Sequence, residues 1–199
     1  MSPPLAPLGA EAVHVVIDMQ RLFAEGTHWN VPTLPDVLPP IQKLIEHRPE
    51  RVVFTRFITP PSLPAAPDGW QEFYRHWPQL TQDRLPPGIL DLVAPLAKRA
   101  TPAKLVDKEG FSSFSGRAFH AVLRNLEAKT LVLSGVETDV CVLATAVEAV
   151  DRGYRVVVAA DAVTSFSAAA HRAVLDHVLP RFEYRIDVAS TAEILAAWK

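Results

Sequence analysis

The 199-residue chain has little cysteine, no long apolar run and no block of like charges. A single cysteine, Cys141, excludes an intrachain disulfide and suits a reducing compartment, so we expect a cytoplasmic protein. Phosphate binding needs a basic stripe, and a formal net charge of −2 without one argues against nucleic-acid and membrane-surface partners. No apolar run reaches the roughly 18 residues of a membrane span, and the N-terminal sequence lacks the signal-peptide pattern.

Proline, by contrast, is frequent: the chain has 18 prolines, and most of them lie in 32–40, 60–67, 78–87 and 95–102. Because apolar and aromatic residues are mixed in with them, these clusters indicate long connecting segments rather than disorder. The length and the hydrophobic content of 49% suit a globular protein. We therefore predict one domain over 1–199, with a proline- and aromatic-rich insertion at about 58–88.

Six apolar runs predict β-strands, and several of them are continuous and β-branched rather than alternating. Such runs are typical of strands that are buried on both faces, as in a parallel sheet. Helical patterns lie between the runs, which implies right-handed crossovers and a doubly wound, three-layer α/β/α domain. The predicted strands are 13–17, 51–57, 104–106, 130–133, 155–159 and 184–187, and the predicted helices lie near 36–47, 116–127, 138–152, 167–179 and 190–198.

Cys141 follows a strand, a glycine-bearing turn and the start of a helix, in the segment Leu-Val-Leu-Ser-Gly-Val-Glu-Thr-Asp-Val-Cys-Val (131–142). Backbone N–H groups at a helix N-terminus lack intrahelical partners and carry the positive end of the helix dipole. This position predicts a lowered thiol pKa and a nucleophile. A buried cysteine that acts as a small hydrophobe is the alternative.

The helix pattern at 138–152 contains an apolar stripe, predicted to pack on the sheet. Val140, Leu143, Val147 and Val150 recur in it at spacings of three and four. Cys141 lies off this stripe, which favours a functional role for the thiol.

Two further chemically useful side chains follow predicted strands. Ligands of an open parallel sheet bind beyond the carboxyl ends of its strands, where Asp18 follows the first run and Lys108 the third. A carboxylate can take the thiol proton and an ammonium can hold the thiolate. Taken singly, Asp18 could cap a turn and Lys108 could be a solvated loop lysine. Their coincidence with Cys141 at one sheet edge favours a nucleophilic site.

Four segments stand in the order and spacing of one protein family. They are Val-Ile-Asp-Met-Gln (16–20), Lys108 with Ser113-Phe114, Gly-Val-Glu-Thr-Asp-Val-Cys-Val (135–142) and Gly-Tyr-Arg-Val-Val-Val-Ala-Ala-Asp-Ala (153–162). The chain thereby resembles the isochorismatase-like cysteine hydrolases, which include nicotinamidases, N-carbamoylsarcosine amidohydrolases and ureidoacrylate or biuret hydrolases. The resemblance implies a six-stranded, mostly parallel sheet of order 3-2-1-4-5-6 and a homo-oligomer, either dimer or tetramer.

The same resemblance implies site residues and a reaction. Asp18, Lys108 and Cys141 would form a catalytic triad. The peptide bond between Val136 and Glu137 would be cis, and the N–H groups of Glu137 and Cys141 would form an oxyanion hole. The implied activity is cysteine-dependent cleavage of a C–N bond, in an amide, ureido or carbamoyl compound, through a thioester acyl-enzyme.

The sequence departs from the family at the metal site. Metal-binding nicotinamidases carry Asp-x-His after the second strand, where this chain reads Thr55-Arg56-Phe57. No pair of the seven histidines has a convincing ligand spacing, so we predict no metal and no cofactor. Retention of Cys141 favours C–N cleavage over the vinyl-ether hydrolysis of isochorismatases proper. That ether hydrolysis, a catalytically silent assembly or regulatory subunit and a redox sensor remain as alternatives.

Candidate substrate-binding residues come from three places. The insertion contains an aromatic helix face made of Trp70, Phe73, Tyr74 and Trp77, of which Trp70 and Tyr74 are the predicted substrate-binding residues. This face could line a pocket, pack in the core or form a subunit interface. Arg56 could pair with a substrate carboxylate or form a surface ion pair. Phe23, shortly after Asp18, could line the pocket or pack in the core. The predicted partner is a small-molecule substrate.

Overall fold

A six-stranded, all-parallel sheet of order β3-β2-β1-β4-β5-β6 forms the centre of the computed structural model, which describes residues 5–199. The strands are β1 (Ala12–Ile17), β2 (Val52–Phe57), β3 (Leu105–Lys108), β4 (Thr130–Val136), β5 (Arg155–Thr164) and β6 (Ile186–Ala189). This confirms the predicted architecture and strand order, and the sheet is wholly rather than mostly parallel.

Helices cover both faces of the sheet. They are α1 (Leu34–His47), α2 (Asp68–His76), α3 (Ala94–Ala97), α4 (Arg117–Asn125), α5 (Leu143–Asp151), α6 (Ala168–Ala173) and α7 (Thr191–Ala197). Side chains of α1 and α7 belong to the apolar cluster on one face, and those of α4 and α5 to the cluster on the other. Among the described residues, no helix is both long and apolar enough to cross a membrane.

The continuous apolar run of β1 follows from its place in the middle of the sheet. Val13, Val15 and Ile17 enter the cluster beneath α4 and α5. Ala12 and Val16 enter the cluster beneath α1 and α7. Both faces of the strand are buried, so neither needs polar residues.

The apolar stripe predicted for α5 packs against the core, but it is not the most deeply buried face of the helix. Thr145, Ala146 and Ala149 are the buried residues of this helix. The predicted stripe, which includes Leu143 and Val147, is only half-buried and lies at the edge of the contact between α5 and the sheet. Small side chains let the helix approach the sheet closely, whereas the larger apolar residues flank the contact. Cys141 therefore shares the buried side of this segment instead of lying apart from it.

One glycine brings the two central strands close together at their carboxyl ends. Gly135 has a φ of +110°, and a Cβ atom there would collide with the backbone of Ile17. No other residue type fits this position. The close approach places the end of β4 beside the end of β1, where the next residue is Asp18.

Candidate active site

Three side chains from separate crossovers meet at the carboxyl edge of the sheet. Asp18 directly follows β1, Lys108 is the last residue of β3, and Cys141 lies in a π-helical turn (Thr138–Val142) that leads into α5. Lys108 Nζ lies 2.7 Å from Asp18 Oδ2 and 3.5 Å from Cys141 Sγ. All three residues are buried, with Cys141 the most exposed at 5%.

The Lys108 ammonium is fixed by three hydrogen bonds. It donates to the carbonyl oxygens of Gly110 at 3.0 Å and Phe111 at 2.9 Å, and to Cys141 Sγ. Burial acts to lower the pKa of Lys108, but the charges of Asp18 and Cys141 and its polar contacts with them raise the pKa on balance. The side chain therefore remains an ammonium ion.

The contact between Lys108 and Asp18 is an ion pair rather than an aligned hydrogen bond. Asp18 Oδ2 receives no hydrogen bond from any described residue, although the ammonium lies 2.7 Å away. The three N–H bonds of Lys108 point to two carbonyl oxygens and the sulfur. Oδ2 thus retains a lone pair that can accept a proton from the neighbouring thiol.

Thr55 of β2 holds the other oxygen of the carboxylate. Its Oγ1 donates to Asp18 Oδ1 at 2.7 Å and accepts from the Asp18 N–H at 3.3 Å. Asp18 has a φ of 51°, in the left-handed region that aspartate tolerates better than most residues. The carboxylate is therefore clamped between a strand hydroxyl and a buried ammonium.

The thiol of Cys141 is neutral in this environment. Burial raises its pKa most strongly; the Lys108 charge lowers the pKa and the Asp18 charge raises it. The net direction is upward, so the expectation that the helix N-terminus would lower the thiol pKa was wrong for the resting site. The physical reason is that a thiolate here would be desolvated beside a carboxylate. A thiol in this environment would have to transfer its proton to a neighbouring group before it could act as a nucleophile.

The turn before Cys141 is anchored to the segment that follows β5. The peptide bond between Val136 and Glu137 is cis. The Glu137 carboxylate accepts from the Phe166 N–H at 2.8 Å, and the Thr138 N–H donates to Ser165 Oγ at 2.8 Å. These contacts fix the backbone on the approach to the thiol.

A cavity of about 200 Å³ opens beside Cys141. It is lined by Phe23, Trp29, Phe57, Phe73, Trp77, Phe111, Glu137, Val140 and Cys141. Phe23, a predicted substrate-binding residue, is in its wall.

The other three predicted substrate-binding residues do not line this cavity. Arg56 donates to both carboxylate oxygens of Asp107, at 2.8 and 3.0 Å, and to Asp91 at 3.0 Å, so its charge is already paired. Trp70 packs against the Phe111 ring, 4.8 Å between centroids, outside the cavity wall. Tyr74 is almost fully buried in the packing of α2. Their positions reflect side-chain directions that spacing along the sequence does not determine.

Sequence reasoning missed Trp29, Phe57 and Phe111 in the cavity wall, although two of them carried a signal. Phe57 ends β2 and Phe111 closely follows β3, so both lie at the sheet edge where ligands bind. Phe73 and Trp77, two members of the aromatic helix face predicted in the insertion, do line the cavity. Trp29 comes from an irregular segment after β1, and no sequence pattern pointed to it.

No group of three or more His, Cys, Asp and Glu within residues 5–199 is arranged to hold a metal ion. At the position of the family's metal-binding aspartate stands Thr55, whose hydroxyl is bound to Asp18. The absence of a metal and of a cofactor remains a prediction.

Comparison with known proteins supplies a family. Curated relatives include an isochorismatase family protein, PncA, of Bacillus subtilis, 42% identical over 72 residues, which are 36% of this chain and 39% of that protein. Another is nicotinamidase 3 of Arabidopsis thaliana, 31% identical over 86 residues, or 43% of either chain. The chain thus spans less than half the length of these two relatives.

Solved structures match over nearly the whole chain. A cysteine hydrolase from Pseudomonas syringae pv. phaseolicola superposes with a TM-score of 0.81 at 25% identity, covering 99% of this chain and 98% of that one. An N-carbamoylsarcosine amidase from Thermoplasma acidophilum, with a TM-score of 0.69 at 24% identity, covers 91% and 96% and shows the shared fold. The family model for the isochorismatase domain matches residues 12–190. The chain therefore belongs to the isochorismatase family.

Proposed function

We propose that the protein is a cysteine-dependent hydrolase that cleaves the C–N bond of a small amide, ureido or carbamoyl compound through a thioester. One observation carries the proposal: a neutral buried thiol lies against a charged Asp18–Lys108 pair at the floor of a cavity. Family membership and the amidase and nicotinamidase names of similar proteins support the same reaction class.

Acylation begins with transfer of the thiol proton of Cys141 to Asp18 Oδ2. The sulfur attacks the carbonyl carbon, and the carbonyl oxygen becomes an oxyanion, for which the N–H groups of Glu137 and Cys141 are the proposed donors. Asp18 then gives its proton to the nitrogen, the C–N bond breaks, and ammonia or an amine leaves. Lys108 keeps its charge throughout and stabilises the thiolate and the carboxylate in turn.

Deacylation repeats the same proton path with water. Asp18 takes a proton from the water as its oxygen attacks the thioester carbon, and the C–S bond then breaks. The sulfur recovers its proton from Asp18. The sum is one amide and one water converted to one carboxylic acid and one ammonia or amine.

Ammonia release from a panel of amides, ureas and carbamoyl amino acids tests this function. The wild-type protein should release ammonia from at least one of them, whereas Cys141→Ala, folded as judged by circular dichroism, should release none. Wild-type turnover by Cys141→Ala would contradict the proposal. Release of pyruvate from isochorismate without release of ammonia from any amide would instead assign vinyl-ether hydrolysis.

A further inference from the structure

We propose that the substrate of this site carries an uncharged aromatic or apolar acyl group. The inference rests on the proposed amide hydrolysis and concerns the part of the substrate that the cavity encloses. It separates this chain from hydrolases that act on carboxylated ureido or carbamoyl acids.

The wall of the cavity is a mutually supported set of aromatic rings, which we call the aromatic box: Phe23, Trp29, Phe57, Phe73, Trp77 and Phe111. Trp29 is its centre. Its ring stacks on Phe23 at 6.2 Å and meets the rings of Phe57 and Phe73 at 5.9 and 5.8 Å. Rings held in this way present flat apolar surfaces in fixed positions, which suits a planar or compact apolar group.

Charge complementarity excludes an anion from the aromatic box. Of the residues that line the cavity, all within the described part of the chain, none is Arg, Lys or His. The Lys108 ammonium at the floor is occupied by Asp18, two carbonyl oxygens and the sulfur. Arg56 is paired with Asp107 and Asp91. A buried substrate carboxylate would find no cation to pair with.

The one charged side chain in the wall, Glu137, is also engaged. Its carboxylate accepts from the Phe166 N–H at 2.8 Å, and burial raises its pKa. It would repel an anion, and a cationic substrate would have to compete with the existing hydrogen bond. The lack of a free cation and the engaged Glu137 carboxylate therefore both favour an uncharged acyl group.

The size of the cavity limits the substrate further. About 200 Å³ is smaller than the roughly 300–1,000 Å³ typical of pockets for drug-sized ligands. One ring bearing a carboxamide suits such a space, with the carbonyl carbon directed to Cys141.

The experiment compares kcat/KM for benzamide and cyclohexanecarboxamide with that for 4-carbamoylbenzoate and N-carbamoylglycine, measured as ammonia release. The uncharged amides should exceed the carboxylates by about 100-fold or more, because a buried unpaired charge is strongly disfavoured. Phe111→Arg, which adds a cation at a partly exposed part of the wall, should narrow this ratio. Tyr184→Arg, at an exposed position outside the wall, is the matched control and should leave the ratio unchanged.

The possible outcomes separate this inference from the proposed function. Ammonia release from carboxylated substrates in preference to benzamide would overturn the inference and leave amide hydrolysis standing. A preference for 4-(trimethylammonio)benzamide over benzamide would also overturn it, because the aromatic box would then be a cage for cations. Release of ammonia from no substrate would contradict the proposed function itself.

Discussion

Thr55 and Asp18 form a reciprocal hydrogen-bonded pair at the carboxyl edge of the sheet. The Thr55 hydroxyl donates to Asp18 Oδ1 at 2.7 Å and accepts from the backbone N–H of Asp18 at 3.3 Å. Both residues are fully buried. Because Oδ1 is held in this way, Oδ2 is directed to the ammonium of Lys108, and we assign Thr55 a positioning role.

Thr55→Val removes the hydroxyl with little change in shape, so the carboxylate should lose its fixed orientation. We expect kcat to fall by about 10- to 100-fold, less than the roughly 10²–10⁴-fold that a proton-transfer group itself contributes, with KM nearly constant. Thr55→Ser restores the hydroxyl and should recover most of kcat. Steady-state kinetics on a substrate from the amide panel checks both variants. Equal losses in the serine and valine variants would contradict the positioning role.

Asp18 holds down the reactivity of the resting thiol, because its negative charge raises the pKa of Cys141. Asp18→Asn should therefore label faster than wild type with iodoacetamide at pH 7 while losing turnover. Mass spectrometry of the Cys141 peptide over time measures the labelling rate. Slower labelling of Asp18→Asn would show that the carboxylate activates the thiol even without substrate.

Removal of Lys108 should destabilise the fold as well as stop turnover. Lys108→Met leaves the Asp18 carboxylate buried without its counter-ion, which typically costs about 3–5 kcal/mol in the free energy of unfolding. The double variant Lys108→Met/Asp18→Asn removes both charges and should recover much of this loss. Urea denaturation of the two single variants and the double variant completes the cycle. Additive losses would contradict direct coupling of the pair.

His14, in the middle of β1, should make stability fall in mild acid. Burial lowers the pKa of His14 to about 3, and its Nε2 is hydrogen-bonded to Ser134 Oγ at 2.8 Å. In the unfolded chain, His14 takes up a proton near pH 6.5, whereas in the folded state it stays neutral until the pH is much lower. The contribution of neutral His14 to the free energy of unfolding is therefore fully present above pH 6.5 and is lost as the pH falls toward about 3.

Between these two pH values, His14 alone should give the free energy of unfolding a slope of about 1.4 kcal/mol per pH unit. The difference in unfolding free energy between wild type and His14→Gln, followed from pH 7 to pH 4, isolates it. His120→Gln, on α4, is the matched control and should keep the wild-type slope. An unchanged slope in His14→Gln would show that other groups cause the acid sensitivity.

The sequence predicted the strands and the sheet edge well because both follow from local pattern. The strand β1 is mostly apolar and is followed by Asp18, so its burial and the polar residue after it could be predicted from the sequence. The resemblance added the strand order. Lys108 was expected to follow β3 and instead ends it, a shift of a residue or two that leaves its side chain at the same edge.

Other features depend on tertiary contacts that no local pattern encodes. The thiol pKa depends on how completely Cys141 is covered, which outweighs its position at a helix start. The direction of Arg56 depends on Asp107 and Asp91 from distant segments. Trp29 lies in the cavity wall because an irregular segment folds back over the site. Only the assembled chain shows these relationships.

Trapping of the acyl-enzyme tests the central claim most directly. The protein is mixed with an amide that it hydrolyses, quenched in acid within the first turnovers and digested, and the Cys141 peptide is weighed by mass spectrometry. A mass increase equal to the acyl group less the thiol hydrogen that it replaces, absent in Cys141→Ala, is the predicted result. Full turnover with an unmodified Cys141 peptide at every quench time, together with an active Cys141→Ala protein, would contradict it.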